Sequence, residues 1–214
     1  NMLKAAVNCK VKSFVYASSS SVYGDEPTLP KVEHRIGNCL SPYAATKKTN
    51  ELYAQVFADV YGIKLMGFRY FNIFGPRQDP DGPYAAVIPL FVKGIMKETP
   101  VYVNGDGEQT RDFTFVENAV QINIKGMLNE NEAAFNKVYN VAVGEYYSVN
   151  YLFNACATQL GSNFAATHRE PRAGDIRNSL ADINLAQSLL GYQPVKKFEA
   201  GLEETISFFK KMYS

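Results

Sequence analysis

The sequence predicts an α/β protein, with part of a buried parallel sheet followed by a smaller mixed α/β region. Two observations carry this. From Val11 to Phe71 a strand pattern, a well-marked helix and a second strand pattern follow one another. Two strands joined through a helix make a βαβ unit with parallel strands and a right-handed crossover. Beyond Gly75 the regular alternation gives way to shorter mixed elements, so the boundary is placed there, dividing residues 1–75 from 76–214. Some segments of the second part are expected to return to the first sheet.

The elements follow in order. Asn1 to Val7 reads as the middle of a helix with no cap before it, which predicts that further residues precede this sequence. Val11–Ala17 is a strand that runs into the serines Ser18–Ser21, then Val22, Tyr23 and Gly24. Small hydroxyl residues at the carboxyl end of a buried strand stand where open α/β sheets place ligands, although such a run also makes an ordinary turn. A polar loop with Pro27, Pro30 and Gly37 leads to Ser41, an N-cap, and Pro42, whose missing N–H costs nothing in a first turn. Leu52, Tyr53, Val56, Phe57, Val60 and Tyr61 then recur four apart and predict a buried helical stripe. Lys64–Phe71 is the next strand, ending at Asn72 and the loop Gly75–Gly82.

In the second part, helices are expected over Ala85–Lys97, Glu117–Leu128, Val149–Leu160, Ile183–Leu190 and Glu199–Met212. Strands are expected at Val101–Val103, Phe113–Phe115, Lys137–Val143 and Ala165–Glu170. Asn104-Gly105-Asp106-Gly107 lacks the ligand spacing of a calcium loop and reads as a turn.

Composition narrows the function classes. Apolar residues are 46% and charged residues 20%, with a net charge of +1, so no electrostatic field favours nucleic acid or an anionic membrane. Three separated cysteines argue against a zinc site or a disulfide framework and fit a reducing cytoplasm. His34 and His168 are too far apart in sequence for a histidine metal cluster, and no apolar run approaches the roughly 20 residues of a membrane span.

The chemistry centres on Ser41-Pro42-Tyr43-Ala44-Ala45-Thr46-Lys47. Tyr43 and Lys47 are neighbours one turn apart. An ammonium beside a phenol favours the phenolate and lowers its pKa from about 10, which would make Tyr43 a usable proton acceptor and donor near neutral pH. On this spacing alone a Tyr and a Lys four apart are usually just a helix surface.

Four stretches in order give the pair a context: Ser18–Gly24; Ser41-Pro42-Tyr43 with Lys47; Arg69-Tyr70-Phe71-Asn72 with Gly75-Pro76; and Asn104–Gly107 with Arg111-Asp112. Arg172–Asp175 and Leu180–Asp182 also fit. Together they resemble the extended short-chain dehydrogenase/reductase family, in its nucleotide-sugar epimerase branch. The resemblance covers essentially the whole chain and implies a partial Rossmann-type NAD-binding domain over 1–75 and mainly a nucleotide-sugar substrate domain over 76–214. It implies Tyr43 as catalytic acid/base, Lys47 on the nicotinamide ribose, and Ser19 on the sugar 4-hydroxyl. Ser18 and Tyr70 are implied at the cofactor, and Ser20 at the substrate. Asn72, Arg111 and Arg172 are implied at a diphosphate, for which a guanidinium supplies a rigid fork of donors. Asp175 would take the ribose hydroxyls, and Tyr102 with Ala86–Pro89 would pack around the uracil. A homodimer through helices including that of Tyr43 is implied as well, whereas the histidines match no catalytic position.

The serine run bears on the reaction. Dehydratases of the family carry an Asp-Glu pair where Ser20 and Ser21 stand here, and UDP-glucuronate decarboxylases carry Glu at the Ser21 position; their absence favours epimerisation without elimination. Ser179 stands where epimerases that reject N-acetyl sugars carry a bulky tyrosine. The resemblance therefore implies 4-epimerisation of UDP-N-acetylglucosamine and UDP-N-acetylgalactosamine, or of the corresponding uronic acid. The family's G-x-x-G-x-x-G run is absent from these residues, which leaves open a non-enzymatic nucleotide-sugar binding module, or a related reductase or dehydratase.

Overall fold

In the computed structural model, which describes residues 1–82, 86–171 and 176–213, the chain begins α1 (Met2–Asn8), β1 (Phe14–Ser19), α2 (Pro42–Tyr61), β2 (Leu65–Tyr70) and β3 (Ile73–Phe74). It continues α3 (Val87–Met96), β4 (Tyr102–Asn104), β5 (Thr110–Arg111), β6 (Thr114–Phe115), α4 (Val116–Met127) and β7 (Lys137–Val141). The last elements are β8 (Tyr147–Ser148), α5 (Val149–Leu160), β9 (Thr167–Arg169), α6 (Asn184–Leu190) and α7 (Phe198–Tyr213).

The main sheet is parallel, in the order β1-β2-β7. Register runs from Phe14 opposite Leu65 to Ser19 opposite Tyr70, and Tyr70 in turn lies opposite Val141. β2, the middle strand, is buried along nearly its whole length, as a parallel strand covered on both faces must be. Alternation along β1 sends Phe14 and Tyr16 toward α1 and α2, and Val15 toward the cluster that holds Phe68, Ile122 and Tyr139. On that second face α4 comes close through Gly126, where a Cβ would lie 2.8 Å from the Phe68 ring.

Two expectations need correction. β1 extends to Ser19 rather than ending at Ala17, because strand pairing uses the backbone and hydroxyl side chains leave it intact; the turn is a short 3₁₀ segment, Ser20–Tyr23. The apolar stripe of α2 is also not buried. Leu52, Tyr53, Val56 and Val60 are 55% to 65% exposed and Tyr61 is exposed too, while Ala44, Ala54 and Ala58 face the sheet and Phe57 is half-buried. Periodicity shows that apolar residues share a face, not which face the sheet takes. Here small alanines let the helix approach β1 and β2 closely. The ends of α2 are as expected: Ser41 Oγ accepts from the Ala44 N–H at 3.1 Å, and Gly62 closes the helix in the left-handed conformation at φ 67°.

The remaining residues build a second core. α3, α5 and α7 enclose Phe91, Val92, Leu152, Phe153, Leu202 and Phe209. Beneath them Phe74, Phe113 and Phe198 form an aromatic cluster with ring centres 5.4–6.4 Å apart. Three short strand pairs frame this core: β3 with β6 and β4 with β9, both parallel, and β5 with β8, antiparallel. Among the described residues no helix is long and apolar enough to cross a membrane.

One carboxylate ties the two regions together. Asp112, fully buried, accepts from the Val143 N–H on Oδ1 at 3.0 Å, and from the N–H groups of Gly144 (3.0 Å) and Ala181 (3.3 Å) on Oδ2. Burial pushes its pKa up to about 7, against the lowering effect of those N–H groups. Its native pKa thus stands above the unfolded value, so protonation favours the native state. That contribution is complete below about pH 4 and is lost as the pH rises through about 7. Asp112→Asn sets an amide donor against one of the three N–H groups and is expected to cost about 1–3 kcal/mol. Urea unfolding of parent and variant should show the larger difference at pH 5 and a smaller one at pH 8; a pH-independent difference would contradict this account.

Candidate functional site

Because β1, β2 and β7 are parallel and in register, their carboxyl ends form one edge, the position at which open α/β sheets bind ligands. Ser19 ends β1 there, and its Oγ accepts from the Ser21 N–H at 3.2 Å, capping the 3₁₀ turn. Ser20, half-buried, opens that turn. α2 packs on β1 and on the turn, so its first two turns lie beside this edge. Lys47 Nζ donates to the carbonyl of Ala17 at 3.4 Å and stands 5.7 Å from the centre of the Tyr43 ring. Tyr43 is 52% exposed, open to a bound molecule on its outer side.

Two residues expected at a cofactor have other partners. Ser18 is buried, and its Oγ donates to Glu51 Oε1 at 2.5 Å, because alternation turns it to the opposite side from Ser19. Tyr70 turns its ring toward α4, where its hydroxyl accepts from Asn123 Nδ2 at 2.7 Å, and burial raises its pKa.

Asn72, two positions beyond Tyr70, begins a cavity of about 260 Å³, just below the usual range of roughly 300–1,000 Å³ for small-molecule sites. The cavity brings together Asn72, Ala86, Tyr102 and Arg111, all expected at the substrate, against apolar walls that include Phe74, Ile88 and Phe91. Asn72 has left-handed backbone at φ 36°, and its Nδ2 donates to the Asp112 carbonyl at 3.1 Å. The strained backbone is held from below by the buried Phe71 and Phe74 on either side. Arg111 Nη1 donates to the carbonyls of Thr110 at 2.8 Å and Arg177 at 3.4 Å, which aligns the guanidinium along the wall. Tyr102 carries the Arg169 guanidinium 5.1 Å over its ring.

Ser179 is buried beside this wall rather than in it. Its N–H donates to the Thr110 carbonyl at 3.1 Å, and Asn178 forms a bridge with Thr110, so the 177–179 segment runs along β5 next to Arg111. Arg172 and Asp175 lie outside the described residues. Sequence reasoning missed Asn104 and Gln109 in the lining; Gln109 Nε2 donates to the Asn104 carbonyl at 2.9 Å. Their signal was present, since both flank the glycine turn that delivers Arg111 into the wall. His168 is exposed and its Nδ1 lies 2.8 Å from the Gly105 carbonyl, a surface role.

The arrangement suits a dinucleotide's nicotinamide end in one respect that the geometry supplies: an exposed phenol with an ammonium beside it, at the carboxyl edge of a parallel sheet, next to a serine hydroxyl.

Comparison with known proteins finds relatives that share this fold. The chain is 32% identical over 210 residues to the UDP-glucose 4-epimerase of Mycolicibacterium smegmatis, covering 98% of this chain and 66% of that protein. The crystal structure of UDP-glucose 4-epimerase from Thermotoga maritima with UDP-glucose superposes with a TM-score of 0.94 at 33% identity, over 100% of this chain and 68% of that one. UDP-N-acetylglucosamine 4-epimerase from Methanobrevibacter ruminantium, in complex with UDP-N-acetylmuramic acid, superposes with a TM-score of 0.92 at 39% identity, over 99% of this chain and 67% of that one. The chain therefore spans about two thirds of the length of the relatives it matches. Residues 1–142 match the NAD dependent epimerase/dehydratase family, and with the Rossmann-type parallel sheet this establishes that the chain belongs to that family, whose cofactor is NAD.

Proposed function

We propose that this chain belongs to a UDP-sugar 4-epimerase that interconverts UDP-N-acetylglucosamine and UDP-N-acetylgalactosamine, or the corresponding uronic acids. The observation that carries the reading is convergence. Asn72, Ala86, Tyr102 and Arg111 line one cavity that starts two residues beyond the register partner of Ser19, at the edge flanked by Tyr43 and Lys47.

On this reading the nucleotide lies along the cavity, with its base between Tyr102 and the Ala86 end of α3. Asn72, Arg111 and Arg172 hold the diphosphate, and Asp175 the ribose hydroxyls. The sugar then reaches the sheet edge. Ser19 hydrogen-bonds the 4-hydroxyl, and Tyr43 serves as the base for its proton while Lys47 holds the Tyr43 side chain and the nicotinamide ribose in place. Lys47 and Tyr43 would hold NAD at this edge, and the chemistry it would supply is reversible hydride acceptance at carbon 4, with no net redox change. The keto-sugar turns within the pocket, and Tyr43 gives the proton back to the oxygen as the opposite face of carbon 4 is reduced. The proton therefore leaves and returns through the same phenol.

Small side chains support the substrate choice. Ser20 and Ser21 offer neither the acid nor the base that elimination requires. Ser179, beside the Arg111 wall, leaves room for a 2-acetamido group, and the likeness to the M. ruminantium enzyme points the same way. The exposed α2 face of Leu52, Tyr53, Val56, Val60 and Tyr61 supports a homodimer, because a contiguous apolar face of this kind is an interaction surface.

The direct test is interconversion of the two acetylated UDP-sugars by the full-length enzyme, and turnover of UDP-glucose alone would overturn the substrate choice. Tyr43→Phe is expected to lower kcat by about 100-fold or more, the usual worth of a positioned acid/base. Ser179→Tyr should reduce turnover of the acetylated sugar at least about 10-fold more than that of UDP-glucose; equal losses would remove Ser179 from specificity. In light scattering, Val56→Arg should convert a dimer to a monomer, and an unchanged mass would place the interface elsewhere.

A further inference from the structure

Tyr43, Lys47 and Glu51 follow one another at four-residue steps on α2, so they share one face. Glu51 is tied far more firmly than the other two. It accepts from Ser18 Oγ on β1 at 2.5 Å, and from Arg69 on β2 through a bidentate pair, Nε to Oε1 at 2.9 Å and Nη2 to Oε2 at 2.8 Å. The Arg69 and Glu51 side chains are only 4% and 10% exposed. Arg69 is fixed in turn: Nη1 donates to the Glu33 carbonyl at 2.9 Å, and the guanidinium lies 4.9 Å from the Tyr23 ring centre. Tyr23 donates to Asn140 Oδ1 on β7 at 2.6 Å.

We propose that the Glu51–Arg69 pair is a positioning device that sets the register of α2 along β1, and with it the placement of Tyr43 and Lys47 against Ser19; this rests on the epimerase reading of the site. Three observations lead there. Ala44, Ala54 and Ala58, the buried residues of α2, form a smooth face with few ridges to interlock, so packing alone leaves sliding along the sheet weakly opposed. Tyr43 is half exposed and therefore not held by packing. The Lys47 contact with Ala17, at 3.4 Å, is long for a hydrogen bond and fixes little. What remains is the carboxylate, gripped from two strands at once in a geometry that tolerates neither a shift nor a rotation of the helix. A buried ion pair is seldom more stabilising than an apolar pair of similar size, but it is directional, which an apolar pair is not. Reaction rates respond to such placement, since a misplacement of about 1 Å can lower turnover on the order of 100-fold.

The test uses the full-length enzyme with its cofactor bound and two variants. One is the double change Glu51→Leu with Arg69→Met, which replaces the ion pair by apolar volume; the other is Glu51→Gln, which keeps shape and the Ser18 contact. Expected for both are an at least 10-fold lower kcat, a KM for the UDP-sugar within twofold of the parent, and a shifted acid limb of the kcat–pH profile. Amide hydrogen exchange should quicken over residues 43–49, while the thermal midpoint of the double variant stays at or above that of the parent. A folded variant with kcat within twofold and unchanged exchange overturns the proposal, and so does a loss of kcat that merely follows the loss of folded protein. Should the double variant fail to fold, Glu51→Gln decides by the same criteria. A parent that epimerises no UDP-sugar removes the functional reading, and exchange over residues 43–49 then decides the positioning role alone.

Discussion

Parallel pairing of β1 with β2, held in register from Phe14–Leu65 to Ser19–Tyr70, is the constraint on which the rest of the structure depends. It puts the end of one strand and the start of the next loop side by side, so Ser19 and the chain leaving toward Asn72 share an edge without any contact designed for that purpose. A slip of one residue would exchange the faces of Ser18 and Ser19, taking Ser18 away from α2 and turning Ser19 toward it. The buried bond from Ser18 to Glu51 opposes that slip, since the carboxylate would lose one of its donors.

The two regions are stabilised by different physics. Around the cavity the walls are aromatic and aliphatic, and shape follows from close packing of Phe74, Phe113 and Phe198. Around the sheet edge, buried polar groups dominate, from Ser18 and Arg69 through Tyr23 to Asn140 and Asp112. Burial raises the pKa of Tyr23 to about 12 and also raises that of Glu33, whose carboxylate accepts from the Asn140 N–H at 3.0 Å. Such networks specify one arrangement when every member is satisfied. Asn140 illustrates this, receiving Tyr23 on its carbonyl oxygen and giving both amide protons, to the carbonyls of Lys31 and Asp182 at 2.9 Å.

Much of this was readable before any coordinates. The βαβ unit, the Ser41 cap, the helix at 149–160 and a strand beginning at Lys137 all follow from periodicity and punctuation, because backbone geometry and burial impose those patterns directly. The motif residues Asn72, Ala86, Tyr102 and Arg111 were legible as a set, and they meet in one cavity. Other features were not legible, for identifiable reasons. The two-residue strands β3, β5 and β8 are shorter than any period. The orientation of α2 was misjudged because its apolar residues outnumber its alanines, whereas the sheet selected the face that allowed the closest approach. Ser18 and Ser19 are chemically identical in sequence and both are buried, and only the pleat turns one toward Glu51 on α2 and the other to the opposite face.

Asn72 joins two demands that are usually separate. Its amide belongs to the cavity and to Asp112, while its backbone, at φ 36°, turns the chain out of the sheet. Few residue types tolerate that conformation, chiefly glycine, asparagine and aspartate. Glycine would keep the turn and lose the amide, and aspartate would keep both shape and turn but bring a negative charge to the cavity where a diphosphate is proposed. The route by which this position could drift to a new ligand is therefore narrow, since the corner that shapes the pocket also limits the side chains that can serve it.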